Sequence, residues 1–344
     1  MTTLTVPSRK LGKQSWRFTG QTRLIASAAV VGPQEGKGPL AAFFDKVYGD
    51  LYAGQDTWEK AERQMMEEAI AIALRKAGLA KQQVDLILAG DLLNQNITAS
   101  FTAEMLGMPL LGMFGACSTS MLTLANAAAL VDAGYADCVL AACSSHNATA
   151  ERQYRYPTEY GGQKPPSAQM TVTGAGAAVV GRAGDGPVIT YATMGNVVDM
   201  GVTDPFDMGT AMAPAAVSTL TAHFRDTGRQ PRDYDLIVTG DLAAVGYPIA
   251  KELLRKEGFE LDHVYQDCGL LIYAPEQQVQ AGASGCACSA AVTYGYLVKQ
   301  MLSGQLKKVL VCATGALLSP VSYQQGHSIP CIAHAVALEM PDAR

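Results

Sequence analysis

The sequence predicts a layered α/β protein built from two similar halves. Three observations carry this. Apolar runs of strand length alternate with helical stretches along the 344-residue chain. A strand-and-turn module recurs in the second half with its order kept. Glycine is abundant, at 34 residues, as tight turns and close packing of layers require.

The elements follow in order. Residues 22–31 read as a first strand, closed by Gly32-Pro33. Residues 56–77 read as a helix, with Thr57 as its cap and Gly78 as its stop. The charged face of that helix, from Glu59 to Glu68, reads as solvated surface. Residues 84–89 form a buried strand ending at Gly90-Asp91, and residues 118–133 an Ala- and Leu-rich helix closed by Gly134. Residues 137–143 and 171–180 are further strands.

Then the chain begins again. Val84-Asp85-Leu86-Ile87-Leu88-Ala89-Gly90-Asp91-Leu92 is echoed 150 residues later by Tyr234-Asp235-Leu236-Ile237-Val238-Thr239-Gly240-Asp241-Leu242. Ala133-Gly134 followed by Val139-Leu140 is echoed 170 residues later by Ser303-Gly304 followed by Val309-Leu310. Two modules in the same order imply related halves, residues 1–184 and 185–344, meeting near Gly184-Asp185-Gly186-Pro187. At the second offset Cys117 faces Ala287, so Cys286 and Cys288 are expected to pack at a mirror-image helix start. Asp91 and Asp241 end equivalent strands, and each is expected to cap the helix that follows.

Composition excludes several classes. Hydrophobic residues make up 49% and charged residues 17%, too apolar for a disordered chain or a coiled coil. The excess of 31 Asp+Glu over 26 Lys+Arg argues against general nucleic-acid binding. Eight unevenly spaced cysteines, several within apolar runs, do not form a disulfide framework and suit a reducing interior. Cys286-x-Cys288 is too tightly spaced for a zinc pair, and no metal site is expected. The basic N-terminal stretch lacks a signal-peptide apolar core, and no window nears the roughly 18 unbroken apolar residues of a span. The chain is therefore expected to be soluble. His334, inside the closing strand, is expected to be core.

Chemistry concentrates at Phe114-Gly115-Ala116-Cys117-Ser118-Thr119-Ser120, directly before a helix. A cysteine there meets unpaired N–H groups and the positive helix end, which favour a thiolate or an oxyanion. The alternative is a cysteine that merely packs at a strand–helix junction.

A duplicated α/β chain with such a cysteine resembles the thiolase and ketoacyl-synthase superfamily. Gly282-Ala283-Ser284-Gly285 resembles the tail of the thiolase Gly-His-Pro-x-Gly-Ala-Ser-Gly signature, and Pro330-Cys331-Ile332 resembles the strand bearing the thiolases' second cysteine. The resemblance implies five layers, α-β-α-β-α, with the halves sharing one core, a homodimer, and Cys117 as acyl acceptor. The sequence departs from the family where chemistry needs it. The thiolase His falls on Val279, the synthase His on Gly240-Asp241, and the matched Asn near Gly285-Cys286. A thiol nucleophile needs a base, and Val cannot serve. The chain therefore reads as a non-enzyme with no cofactor. The rival reading is an acyl-transfer enzyme with Cys117 as nucleophile, Cys331 as acid/base and His146 replacing the missing His.

A closer resemblance runs over nearly the whole chain. Ala89-Gly90-Asp91-Leu92-Leu93-Asn94-Gln95-Asn96, Ser144-Ser145-His146-Asn147-Ala148-Thr149-Ala150-Glu151-Arg152, Ala211-Met212-Ala213-Pro214 and Thr314-Gly315-Ala316-Leu317-Leu318-Ser319-Pro320 are similar to the stage V sporulation protein AD family. That implies binding of dipicolinic acid, pyridine-2,6-dicarboxylate, and its uptake, with or without calcium, into the developing spore. Membrane-bound proteins of the same operon would be partners, and would hold the chain at the spore inner membrane. The residues expected at the ligand are Cys117, His146, Arg152, Arg155, Asp91 and Asn94, with Asp91 as a bridge because its charge repels an anion. Residues 146–164 suit a planar aromatic dianion. They hold the cations Arg152, Arg155 and Lys164, and Tyr154, Tyr156 and Tyr160 to stack on a ring. The alternative for this stretch is a solvated loop docked on the core, and for the whole chain a scaffold that binds no small molecule.

Overall fold

The computed structural model describes residues 9–19, 21–154 and 164–341. Its first half contains β1 (Lys10–Leu11), β2 (Ser15–Arg17), β3 (Arg23–Val31), β4 (Lys46–Val47), α1 (Trp58–Ala77), β5 (Leu86–Gly90), α2 (Ile97–Leu106), β6 (Leu110–Gly112), α3 (Thr119–Ala133), β7 (Cys138–Ser145), α4 (Asn147–Tyr154), β8 (Gln169–Thr171) and β9 (Gly174–Gly181). The second half contains β10 (Val188–Thr193), α5 (Met208–Thr227), β11 (Leu236–Thr239), α6 (Ala243–Lys256), β12 (Tyr265–Asp267), α7 (Cys268–Leu271), β13 (Gly282–Ser284), α8 (Cys286–Ala291), α9 (Val298–Leu302), β14 (Lys308–Ala316), α10 (Pro320–Gln324) and β15 (Cys331–Glu339).

The helix signals in the sequence are local and hold. The Thr57 hydroxyl accepts the Lys60 N–H at the start of α1, and Gly78 ends it at φ +67°, a left-handed conformation glycine adopts freely. Gly134 ends α3 in the same way.

The duplication is visible in the strands. From the middle outward the sheet runs β3-β9-β7-β5-β6 in one half and β10-β15-β14-β11-β12 in the other. In each half the outer three strands are parallel and the inner joints antiparallel. The register repeats too. Leu86 pairs with Val139, and Leu236 with Val309, so both sequence offsets are the offsets of the sheet. Asp85 accepts the N–H groups of Asp137 and Cys138, and Asp235 those of Lys307 and Lys308. One pair, Arg23 with Val188, links β3 to β10.

Five layers result. Helix α1 packs outside the first half's strands and α5 outside the second half's, while α3 touches β7 and β9 on one side and β14 and β15 on the other. Helix α8 lies beside α3, and the Ser120 and Ser289 hydroxyls meet at 2.6 Å between them. A helix sandwiched between two sheets must be apolar all round and slim. Helix α3 meets this with Ala125, Ala127 and Ala128 fully buried beside Met121 and Leu124.

Three sequence expectations need correction. Residues 171–180 are not one strand. The segment breaks after β8, which pairs parallel with β13, and β9 then joins the main sheet. The Thr173 N–H at the break is held instead by the Glu35 carboxylate at 3.0 Å. The charged face of α1 is not all solvated, because Glu62 within it is fully buried. Residues 147–154 of the expected loop are helical. His146 caps that helix, its Nδ1 accepting the Ala148 N–H at 3.1 Å and its carbonyl the Ala150 N–H at 3.0 Å.

Candidate functional site

A cavity opens where the two halves meet in front of α3. The segment between β5 and α2 supplies Leu92, the start of α3 supplies Ala116 and Cys117, and α4 supplies Ala150 and Tyr154. Thr171 of β8 and Ser284 of β13 stand side by side, Met208 and Met212 come from α5, and Ala316 and Leu318 from the end of β14. It holds about 470 Å³ of atom-free space including its open mouth. The walls are apolar, and among the described residues no Lys or Arg lines them.

Cys117 is held by strained backbone, since Ala116 before it sits at φ +48°. Its sulfur lies 3.8 Å from the Ser284 hydroxyl. Ser284 Oγ donates to Asp241 Oδ2 at 3.0 Å, the Gly285 N–H donates to the same oxygen at 3.0 Å, and Thr314 Oγ1 donates to Oδ1 at 2.6 Å. A buried carboxylate thus stands behind the thiol. Burial first, and then the Asp241 charge, push the Cys117 thiol well above its ordinary value. Burial likewise raises Asp241, against the pull of its hydrogen bonds.

These two effects on Cys117 act against the thiolate that a helix start favours. The helix end favours the thiolate by about 0.3–1 kcal/mol, while burial and the Asp241 carboxylate favour the thiol. Cys117 is part-buried, and both burial and Asp241 act in the direction of the thiol. Activation would need a base at the thiol, and none of the five histidines lines the cavity.

Of the other predicted residues that are described, Tyr154 lines the cavity and the rest fall around it. Both ring nitrogens of His146 are engaged. Nδ1 accepts from Ala148, which places the proton on Nε2, 2.8 Å from the Leu51 carbonyl. Arg152 pairs with Glu59 and lies over the Trp58 ring on the outer surface. The Asn94 N–H donates to Gln153 Oε1 at 3.1 Å, and Lys164 pairs with Glu151 at 2.9 Å. Asp91 accepts the Leu93 and Ala99 N–H groups at 2.9 Å each, capping α2. Cys331 is buried, its thiol pushed up to about 12 by burial, and it donates to the Ile329 carbonyl away from the lining. His334 is buried in β15 and accepts the Gly195 N–H, and Cys286 and Cys288 are buried in α8. Arg155, Tyr156 and Tyr160 lie outside the described residues.

Asp241 does not cap α6 as its sequence echo of Asp91 suggested. Asp267 does, accepting the N–H groups of Leu242 and Ala243 at 3.0 and 2.9 Å. That leaves Asp241 free to serve the cavity floor. Sequence reasoning also missed Ser284, Thr314 and the Met208–Met212 wall. Ser284 was in hand as part of the Gly282-Ala283-Ser284-Gly285 string, but only the fold carries it to Cys117.

A duplicated five-layer architecture, with a cysteine opening a buried central helix where the halves meet, defines the thiolase-like class. Solved structures concur. 3-Oxoacyl-[acyl-carrier-protein] synthase III from Aquifex aeolicus is similar at a TM-score of 0.56 and 16% identity, over 92% of this chain and 99% of that one. Human mitochondrial 3-ketoacyl-CoA thiolase gives a TM-score of 0.58 at 12% identity, over 94% and 99%. These likenesses concern the fold. Within the class the relationship is specific: the family model of stage V sporulation protein AD matches residues 12–339. The stage V sporulation protein AD of Bacillus subtilis (strain 168) is 56% identical over 328 residues, 95% of this chain and 97% of its own. The chain belongs to the stage V sporulation protein AD family.

Proposed function

We propose that this sporulation protein binds dipicolinic acid in the cavity before Cys117 and takes part in its uptake into the developing spore, without acting as an enzyme. One observation carries the reading. Cys117 opens the cavity at the start of the central helix, its thiol faces the Asp241 carboxylate that raises it, and among the described residues no His lines the cavity. Such a site is built to enclose a ligand rather than to attack one. The apolar walls with Met208, Met212 and Tyr154 suit a flat ring. Arg155, next in sequence after the cavity residue Tyr154, is the cation proposed for a carboxylate. Calcium entering with the ligand would offset its charge before it meets Asp241.

Isothermal titration with dipicolinate, with and without calcium, tests this. Saturable 1:1 binding is expected, kept within about twofold in Cys117→Ser, whose hydroxyl matches the thiol in size, and lost in Ala150→Trp, which fills the cavity. No heat with wild-type protein would sink the reading. An acyl group trapped as a thioester on Cys117 would establish the acyl-transfer alternative.

A second copy is the proposed partner for the first half's edge. Ile97, Phe101 and Met105 repeat every four residues along α2 and are exposed, beside exposed Leu111 on the edge strand β6 and Phe114. Light scattering at micromolar concentration is expected to give a dimer, and Phe101→Glu a monomer through at least about a 100-fold loss of affinity. A monomeric wild-type chain would refute this. No helix among the described residues is long and apolar enough to cross a membrane. Association with the spore inner membrane is therefore proposed to run through membrane-bound proteins of the same operon.

A further inference from the structure

Glu62, fully buried one turn into α1, is not among the residues lining the cavity. Its Oε1 accepts from the Ser144 hydroxyl of β7 at 2.9 Å, and its Oε2 lies 3.0 Å from Thr149 Oγ1 in α4. Thr149 Oγ1 is also 3.0 Å from the His146 carbonyl. A hydroxyl has one hydrogen, and a carbonyl only accepts. Both contacts are satisfied when Thr149 donates to His146 and Glu62 donates to Thr149. A Glu62 carboxylic acid uses both contacts, whereas a carboxylate takes the Thr149 proton and leaves the His146 carbonyl to the Ala150 N–H alone.

Burial and the nearby Asp91 favour the acid form, against hydrogen bonds from Ser144, Thr149 and Thr98 that favour the carboxylate. Among the described residues Glu62 and Asp91 form no ion pair, and Asp91 brings a second buried acid close to the first. Burial and the Asp91 charge raise Glu62 to about 8, and burial raises Asp91 to about 6. The other titratable groups facing the pair are Cys143 of β7, His146 ahead of α4, Tyr154 of α4 and Cys286 of α8. Burial raises both thiols and the Tyr154 hydroxyl and holds His146 below its usual range. From roughly pH 7 to 9, Glu62 is the group of this cluster that changes charge.

The cluster is wired to the cavity wall. Asp91 precedes Leu92, and Thr149 precedes Ala150. Gln153 Nε2 donates to the Leu92 carbonyl at 3.0 Å, as does the Tyr154 hydroxyl. Leu92, Ala150 and Tyr154 all line the cavity.

We propose that Glu62 is a proton-operated latch: as a carboxylic acid it ties α4 to β7 behind the cavity wall, and its ionisation loosens α4 and weakens ligand binding. The ligand arm rests on the binding reading above, while the latch belongs to the empty chain. The folded state keeps a proton that the unfolded chain releases near 4.5. Stability from this group is therefore full below that pH and is lost as pH rises through about 8.

Trp58, one turn before Glu62 and 5.6 Å from the Arg152 guanidinium of α4, is the reporter. In a Trp16→Phe background, Trp58 fluorescence is expected to inflect near pH 8, with faster hydrogen exchange in α4 on the alkaline side. Glu62→Gln keeps the shape, its amide donating to Thr149 and its carbonyl accepting from Ser144, and is expected to abolish the inflection. Asp91→Asn is expected to move it to lower pH. A flat wild-type titration, or an inflection that survives in Glu62→Gln, overturns the latch.

The ligand arm compares dipicolinate titrations at pH 7 and 9. Affinity is expected to fall about tenfold in wild type and to stay level in Glu62→Gln, a tenfold change being one pKa unit of coupling. Equal falls in both proteins overturn the latch. Absence of dipicolinate binding at both pH values, with the fluorescence inflection present and lost in Glu62→Gln, fails the binding reading and leaves the latch standing.

Discussion

Asp241→Ala is expected to destabilise the protein by about 3–5 kcal/mol. The carboxylate accepts from Ser284, Gly285 and Thr314, all buried, and alanine leaves three donors unpaired at roughly 1–3 kcal/mol each, less whatever entering water restores. Asp241→Asn separates charge from shape. It keeps the volume and part of the bonding while removing the charge that raises Cys117, so its stability loss is expected to be smaller, about 1 kcal/mol. The Cys117 thiol should then become more acidic, and alkylation by iodoacetamide at mildly alkaline pH should speed up by about tenfold per unit of pKa change. Urea unfolding and alkylation rates measure both. An Asp241→Ala protein as stable as wild type would show that the three donors find other partners.

Gly315→Ala is expected to be nearly as damaging, for a steric reason. A Cβ on Gly315 would stand 2.3 Å from the Gly115 carbonyl oxygen and 3.0 Å from the Ser118 nitrogen. Both are backbone atoms of the segment that carries Cys117, so no side chain can turn aside. Overpacking of this kind costs about 1–3 kcal/mol or more, and the expected loss is at the upper end. The control is Gly78→Ala. A Cβ there meets nothing within 4 Å and only the φ of +67° opposes it, so about 1 kcal/mol is expected. Equal losses in the two variants would mean that the β14–α3 approach is not tight. A disproportionate loss in Gly315→Ala, with Cys117 more accessible to alkylation, would show that this approach sets the thiol's position.

Gly315→Ala probes a contact between the halves and Asp241→Ala one within the second half, and such contacts divide what was legible from what was not. The Thr57 cap and the Gly78 and Gly134 stops follow from chemistry within one turn of chain, so the helices were readable. The echo of residues 84–92 in residues 234–242 was readable because equivalent strands in equivalent sheets face the same selection for apolar side chains. It even carried the register, Leu86 on Val139 and Leu236 on Val309. The same echo misled at its last charged residue. Asp91 caps α2, but Asp241 does not cap α6, because Asp267, 26 residues further along, reaches the α6 start from the neighbouring strand. Equal local sequence cannot report which of two acids arrives first in space.

The site shows the same division. The sequence by itself determined the layered α/β class, the duplication and the position of Cys117 at a helix start, while the missing His is implied only by the family resemblance. The first three are properties of pattern and residue type. Only the tertiary structure decided that Ser284 and Asp241 stand behind Cys117, that His146 turns both nitrogens to backbone, and that Glu62 lies buried on a helix face reading as charged surface. Each depends on segments more than 80 residues apart or on the depth at which a side chain is buried. Desolvation scales with that depth, and a linear sequence does not contain it.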